Sequence, residues 1–465
     1  MQTNFDLKKH LVELFSANHE CLKKSDSEVV GKLRSEALTR FSEKGFPTKS
    51  LEQWKNTDFS EAISLEYEML FQAPPYNPVE SYFKCNVHNF DTYMFTLLNG
   101  WYVHKNAPLT VFPDGTIVGS LAHARVHYKD IVDQYLGKIA VDENNSMIDV
   151  NTAFIQDGVF IYVPENVVVS KPMQIVNIVK TDKNLFIQNR NLIVVEKNAQ
   201  LKLVHCDDSL EFGKTFINNV TEISAKKEAI VEYYKLENKD AESTLVNNVY
   251  IHQMDNSVVS TYTITLNAGL TRNTVMVKVD GEYCEANVNG LYLVDRKQKV
   301  DNYVKIDHLK PNSISRQLYK GIIDDQASGC FNGYVVVHKD AQKTQAFQSN
   351  KNIALTDEAF VSTKPFLEIY ADDVKCSHGA TIGQLDENAM YYLRSRGICE
   401  RNSRMLLMYA FAMEVVKNVS IEALHKQIDD MVSKRLKGEL SICDQCVLHC
   451  SDHTDFHFEI DMSKI

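Results

Sequence analysis

No run of this 465-residue sequence is apolar for long enough to cross a bilayer. The longest, Met405 to Met413 (MLLMYAFAM), is broken at Glu414, well short of the roughly 20 residues a spanning helix needs. The N-terminal MQTNFDLKKH lacks a basic segment followed by an apolar stretch and a small-residue cleavage site, so no secretory signal is read there and a cytoplasmic location is expected. Basic charge is not massed either. The formal net charge is −11 and Lys and Arg are scattered, which argues against nucleic-acid binding through a dominant basic surface. The phosphate loop GxxxxGK, the nucleophile elbow GxSxG and the HExxH metal motif are all missing, and nothing assembles a nucleophile, a base and oxyanion donors. Ten cysteines are spread thinly, and without an export signal they read as reduced thiols rather than a disulfide framework.

What is present is an ordinary soluble composition, 44% hydrophobic and 24% charged, in a chain long enough for two or three structural units. The first part is helical in pattern: Leu7, Leu11, Leu14 and Phe15, then Leu33, Ala37 and Phe41, fall at three- and four-residue spacing before Gly45 and Pro47 end the run. A region broken by Pro74, Pro75 and Pro78 follows.

From about Val150 short β-branched and aromatic runs alternate with polar turns, as in GVFIYVP (158–164), EAIVEYYKL (228–236), SVVSTYTITL (257–266) and FLEIYADDV (366–374). No amphipathic run long enough for a crossover helix lies between them, which counts against a doubly wound α/β fold. KNAQLKLV at Lys197, KEAIVEYY at Lys227 and DNSVVSTY at Asp255 place polar and small residues before an alternating strand at a spacing of about 30 residues. That period suggests stacked coils; a β-sandwich, whose short strands recur at similar intervals, is the competing reading.

Past residue 384 the helical pattern returns. Asp386 is placed to cap DENAMYYLRSRG, which stops at Gly397. Asn402 or Ser403 is placed to open SRMLLMYAFAMEVVKNV, and Ser420 to open SIEALHKQIDDMVSKRLKG, ending at Gly438. The middle helix is apolar on nearly every side and needs cover, from a small bundle or from a partner. The resulting division is a helical region over 1–80, an irregular connection over 81–150, a strand-rich core over 151–383, a helical region over 384–437 and a Cys/His-containing tail over 438–465.

Two groups of residues carry possible chemistry. In ADDVKCSHGATIGQLDE, Cys376 and His378 sit two apart, so on a strand they share a face. A thiol beside an imidazole suits a stabilised thiolate or a two-ligand metal contact, and it is equally compatible with packing. Asp372 and Asp373 are either orienting groups for the imidazole or a solvated turn. The tail CDQCVLHCSDHTDFH offers Cys443, Cys446 and Cys450 with His449, His453 and His457, ligand types that suit zinc or an iron-sulfur cluster. It is a single cluster with few apolar residues around it, and adventitious metal uptake by a mobile tail is the simpler reading.

FNGYVVVHKDAQKTQAFQSNKNIALTDEAFVSTKPFLEIYADDVKCSHGATIGQLDENAMYYLRSRGI (331–398), with DHLKPNSISRQLYKG (307–321) and more loosely FPTKSLEQWKNTDFS near the start, resembles the SufB/SufD family of iron-sulfur cluster assembly proteins. The resemblance runs to about residue 437, and the CSHGAT form is similar to the SufD branch. It implies a mainly β fold, a right-handed parallel β-helix core flanked by helical N-terminal and C-terminal regions. It also implies a non-catalytic scaffold that pairs with a SufB-like subunit through the β-helix, self-pairs as a homodimer when isolated, and docks a SufC-like ATPase on its C-terminal helices. Carried over by motif, His378 is the cluster-assembly residue at the SufB-facing junction and a possible iron ligand, with Cys376 accessory. The ATPase-docking stretch falls on Tyr391, Tyr392, Leu393, Arg394, Arg396, Gly397 and Ile398. The cofactor implied is a transient iron-sulfur cluster at that junction, none being held tightly by the isolated chain. Cys443, Cys446 and Cys450 lie outside the resemblance and inherit nothing from it. The remaining alternatives are a self-associating β-helix module without metal and, further off, a carbohydrate-active enzyme on a β-helix.

Overall fold

The structure is a computed structural model that describes residues 5–74, 90–103, 107–209, 214–239 and 241–437. Its centre is a parallel β-solenoid. Two sheets of ten strands make it, and from Val159–Val163 onward successive strands alternate between them, each pairing in parallel with the strand two places away in the chain. In the second of the two sheets Gln200, Ile230, Val258, Glu285, Ile314, Gln345 and Lys375 stand in register, one coil every 27 to 31 residues, and the first sheet faces it across the core. The period seen at Lys197, Lys227 and Asp255 is therefore that of the coil. The parallel pairing decides against the sandwich, whose neighbouring strands run antiparallel.

The polar residues before each strand form the corners. Asn198, Glu228, Asn256 and Asn312 have positive φ, and each turns its N–H to the next coil, onto Lys227, Asp255, Glu282 and Gln342 carbonyls at 2.8–3.0 Å. Asparagine adopts this conformation more readily than most residues, so corners rich in it repeat easily. Inside, alternate side chains such as Leu201, Val231, Val259 and Ala286 meet Ile223, Ile251, Val277 and Ile306 from the facing sheet in one continuous core.

The outer faces are covered as well. Helices Leu7–Lys23 and Glu28–Lys44, capped by Asp6 and Ser27, lie with Phe46, Trp54, Phe59 and Tyr67 over Phe186, Phe216 and Val246 of the first sheet. Asp26 holds both Arg34 and Arg125 at 2.8 Å there, all three side chains buried. Helices Glu400–Val416 and Glu422–Lys437 cover the second sheet, with Met408, Ala412, Val415, Leu424, Ile428 and Val432 against Tyr262, Ile264, Leu291 and Ile322. The all-round apolar helix is thus covered by the solenoid and its sister helix together, which is more than a free-standing three-helix bundle supplies.

Three expectations need correction. The described part of 81–150 is not irregular: it carries strands Tyr93–Leu98, Trp101–Val103, Leu109–Val111 and Ile117–Ser120 and helices Leu121–His127, Lys129–Tyr135 and Ser146–Ala153. Strands of three or four residues are too short to show alternation. The middle C-terminal helix starts at Glu400 behind Cys399, and Ser403 is buried inside it with its hydroxyl on the Ile398 carbonyl at 3.5 Å. Ser420 does not open the last helix. Its hydroxyl is taken by Lys202 and Glu232 of the solenoid, and the helix begins at Glu422.

Candidate functional site

The two ends of the solenoid differ. At the N-terminal end both sheets finish in antiparallel strands, Trp101–Val103 on one and Leu109–Val111 with Ile117–Ser120 on the other. At the other end Phe360–Ile369 and Lys375–Gly383 are the last strands of their sheets, each paired on one side only. Their side chains are mostly exposed, and several are large and apolar: Phe360, Phe366, Ile369 and Ile382, with Tyr370 exposed just past Ile369.

Cys376 and His378 lie on the last strand, in register with Ala346 and Gln348. Both of those partners are buried, so the shared face is the inward one. Cys376 is half-buried beside Val335, Val337, Ala341, Ala346 and Leu367. His378, further along the same face, is exposed. Among the described residues no further coil covers it. Burial pushes the Cys376 thiol up, with a hydrogen bond at the Ala346 backbone opposing; the thiol therefore stays protonated at neutral pH until a metal displaces the proton. A neutral imidazole needs no such displacement to act as a ligand. Asp372 and Asp373 are exposed in the turn before the strand, which supports the solvated-turn reading.

GATIG completes the last strand, and QLDE leads out of the last coil. Asp386 caps helix Glu387–Ser395, accepting from the Asn388 and Ala389 N–H groups at 2.8 and 3.3 Å. Tyr391 and Tyr392 stand exposed on it. The Arg396 guanidinium stacks 5.1 Å from the Tyr392 ring, Arg394 pairs with Glu400 at 3.6 Å, and Leu393 and Ile398 are half-buried. Gly397, at φ +88, ends the helix in the left-handed conformation that glycine adopts at no steric cost. Between this helix and the solenoid edge lies an open cleft bordered by Leu355, Leu385, Met390, Tyr391, Arg394 and Arg404.

Sequence reading missed the polar interior. Asn189, Asn219, Asn247, Asn273 and Asn302 form an amide ladder inside the solenoid at 2.6–3.3 Å per step, with one step bonded at each coil. The Asn-Asn pairs at 218 and 247, one coil apart, were its signal in the sequence. Beside the ladder Lys235 pairs with Asp207 at 2.6 Å, Asn177 donates to Asp207 at 2.7 Å, and His205 Nδ1 meets the Tyr233 hydroxyl at 2.8 Å. Burial raises the Asp207 carboxyl, but Lys235, His205 and Lys239 outweigh it and hold it at about 2.

Among the described residues no group of three or more His, Cys, Asp and Glu side chains is arranged to hold a metal, so Cys376 and His378 offer at most two ligands. Cys443, Cys446 and Cys450 lie outside the described residues. The described helices include none long and apolar enough to cross a membrane.

Comparison with known proteins decides the family. The SUF system FeS cluster assembly SufBD core domain matches residues 178–411, and the SufBD protein N-terminal region matches 5–175. The chain belongs to the SufBD family. A SufBD family iron-sulfur cluster assembly protein of Synechocystis is 29% identical over 420 residues, covering 88% of this chain and 92% of the relative. SufD of Escherichia coli is 27% identical over 402 residues (85% and 90%), and SufD of Bacillus subtilis 28% over 360 residues (76% and 81%). Two of these relatives carry the SufD name, in agreement with the reading of CSHGAT as most similar to the SufD branch. The family core match takes in the last coil with Cys376 and His378 and stops within the helix Glu400–Val416.

Proposed function

We propose that this SufBD family member is a non-catalytic scaffold subunit, cytoplasmic, whose open solenoid end pairs with a SufB-like subunit so that nascent iron-sulfur clusters are built across the junction. The observation that supports this reading best is the asymmetry of the solenoid. Among the described residues both ends finish in strands paired on one side only, but at the N-terminal end these are three-residue antiparallel strands, whereas the other end presents edge strands of ten and nine residues, a set of exposed apolar side chains, and His378. Bare edges are templates for another chain's strands, and natural proteins seldom leave them unprotected without a use.

Iron and sulfide are cargo here. His378 and Cys376 supply two ligands and the SufB-like partner supplies the rest, so the cluster is held only while both subunits are together. Imidazole exchanges more readily than a full thiolate cage, which suits a site that must release what it builds. The SufC-like ATPase docks on the exposed helix carrying Tyr391, Tyr392 and Arg394, and its ATP-driven movement alters exposure of the junction. When the SufB-like subunit is absent, the same edges pair with a second copy of this chain.

The test is co-expression of the full chain with SufB-like and SufC-like partners, followed by anaerobic isolation. Wild type is expected to co-purify with both. His378→Ala is expected to keep the subunits together and to lose most of the iron and acid-labile sulfide. Unchanged cluster content removes His378 from the site, and failure of the wild type to retain the partners overturns the pairing.

A further inference from the structure

Gln348 stands in register with His378, one coil further into the solenoid, and is 4% exposed. Its own register partner on the preceding coil is Gln317, and the two amides are bonded: Gln348 Nε2 donates to Gln317 Oε1 at 2.8 Å. That direction leaves Gln348 Oε1 as the acceptor not used within the pair, and the oxygen is buried without a partner. A buried amide oxygen that lacks a donor is unfavourable and calls for a reason.

The amide is also held in place from across the core. A Cβ built on Gly333 would lie 1.8 Å from Gln348 Nε2, so the amide fills the space that a side chain at 333 would take. On the next coil Pro365 stands at the Gly333 position, and His378 at the Gln348 position. The unpaired oxygen thus belongs to a side chain fixed by Gln317 on one side and by Gly333 on the other.

We propose that Gln348 is a positioning residue for His378. The two side chains are not bonded to each other in the structure; a turn of the exposed His378 side chain that brings its Nδ1–H onto Gln348 Oε1 fixes the tautomer whose Nε2, the ring nitrogen farther from the strand, is unprotonated and free to bind a metal at the open end. The ring nitrogen that a metal takes is set by the hydrogen bond made by the other. A histidine in water favours the opposite tautomer, with its proton on Nε2, so the amide makes the less common form the dominant one. This inference rests on the reading of His378 as a cluster ligand.

The experiment needs neither iron nor partner. In the full chain labelled with 15N-histidine, at a pH above the imidazole range, long-range proton–nitrogen correlations report each tautomer, and the His378 signals are those lost in His378→Gln. Wild type is expected to be mainly Nδ1–H. Gln348→Met, similar in length but without the acceptor, is expected to shift the ratio toward Nε2–H by about tenfold, the worth of one ordinary hydrogen bond, while the other histidine signals stay in place. Gln348→Glu, which keeps an acceptor, is expected to restore Nδ1–H. A wild-type His378 that is mainly Nε2–H, or a ratio unmoved in Gln348→Met, overturns the proposal. If Gln348→Met does not fold, the wild-type tautomer alone decides. Loss of the scaffold reading shows separately, as unchanged cluster content in His378→Ala.

Discussion

Tyr234 and Ser420 are joined across the outside of the second sheet: the Ser420 N–H donates to the Tyr234 hydroxyl at 3.2 Å, and that hydroxyl and the Ser420 hydroxyl both reach Glu232. The Tyr234 ring stacks on Tyr262 with centroids 4.9 Å apart, and Tyr262 donates to the Asn418 carbonyl at 2.7 Å. The segment before the last helix is therefore pinned to the solenoid by two tyrosines. Tyr234→Phe keeps the ring and removes the hydroxyl; it is expected to cost about 1–2 kcal/mol and to speed hydrogen exchange over 417–437 more than in the strands. Equal acceleration everywhere would show that the hydroxyl is not a local pin.

Gly333 and Gly379 make a matched pair. A methyl group at 333 meets the Gln348 amide and the Phe331 ring at 1.8 and 2.7 Å, whereas one at 379 meets nothing within 4 Å. Gly333→Ala is expected to lower stability by about 1–3 kcal/mol through overpacking. Gly379→Ala is expected to stay within about 0.5 kcal/mol, as surface changes do. Urea unfolding of the two variants checks both values.

At the open end, Ile382 is 53% exposed on the last strand. Ile382→Lys is expected to leave the thermal unfolding of the isolated chain nearly unchanged, because no packing is lost. A charge on a strand edge opposes further pairing, so sedimentation is expected to show weaker self-association, and pull-down weaker retention of a SufB-like subunit. Association at wild-type strength would place the interface elsewhere.

Acid should loosen the fold through two buried histidines. Burial, with Lys235 nearby, pushes His205 down to about 3, and burial pushes His308 down to about 4. The unfolded chain takes up these protons near the ordinary value of about 6.5. Below that pH the unfolded state binds more protons than the folded one, so stability falls on acidification, by at most about 1.4 kcal/mol per pH unit for each histidine. Burial also raises the Glu237 carboxyl, with Lys235 opposing; a raised carboxylate works in the opposite sense, favouring the folded state as it becomes protonated. The histidine contribution is therefore read by difference. Between about pH 7 and pH 5 the urea midpoint of wild type is expected to fall more steeply than that of His308→Asn, and parallel slopes would exclude His308 as a source.

The coil period was legible because each corner uses the same local device, polar residues with a left-handed position ahead of an alternating strand, as at Asn198, Glu228 and Asn256. Asp386 was legible as a cap for a similar reason: its oxygen needs only the N–H groups two and three residues on. Ser420 was misleading because it has the composition of a cap, yet its hydroxyl is claimed by Lys202 and Glu232 from strands some 200 residues earlier. The ion pair of Lys235 with Asp207 was invisible for that reason too, since its members share an inward face only after two coils have stacked.

The amino-acid sequence by itself determined a strand-rich core with a period of about 30 residues and its flanking helices, since coil length, strand alternation and capping act over a few residues and repeat, while the parallel pairing that makes the core a solenoid was decided by the tertiary structure. It also determined that Cys376 and His378 share a face. Only the tertiary structure decided what that face does. Gln348 and His378 occupy equivalent positions on successive coils, yet one is buried with an unpaired oxygen and the other is exposed. The difference lies in how many coils stand beyond each residue. Burial in a stack is set by the next layer, and among the described residues none follows the last strand.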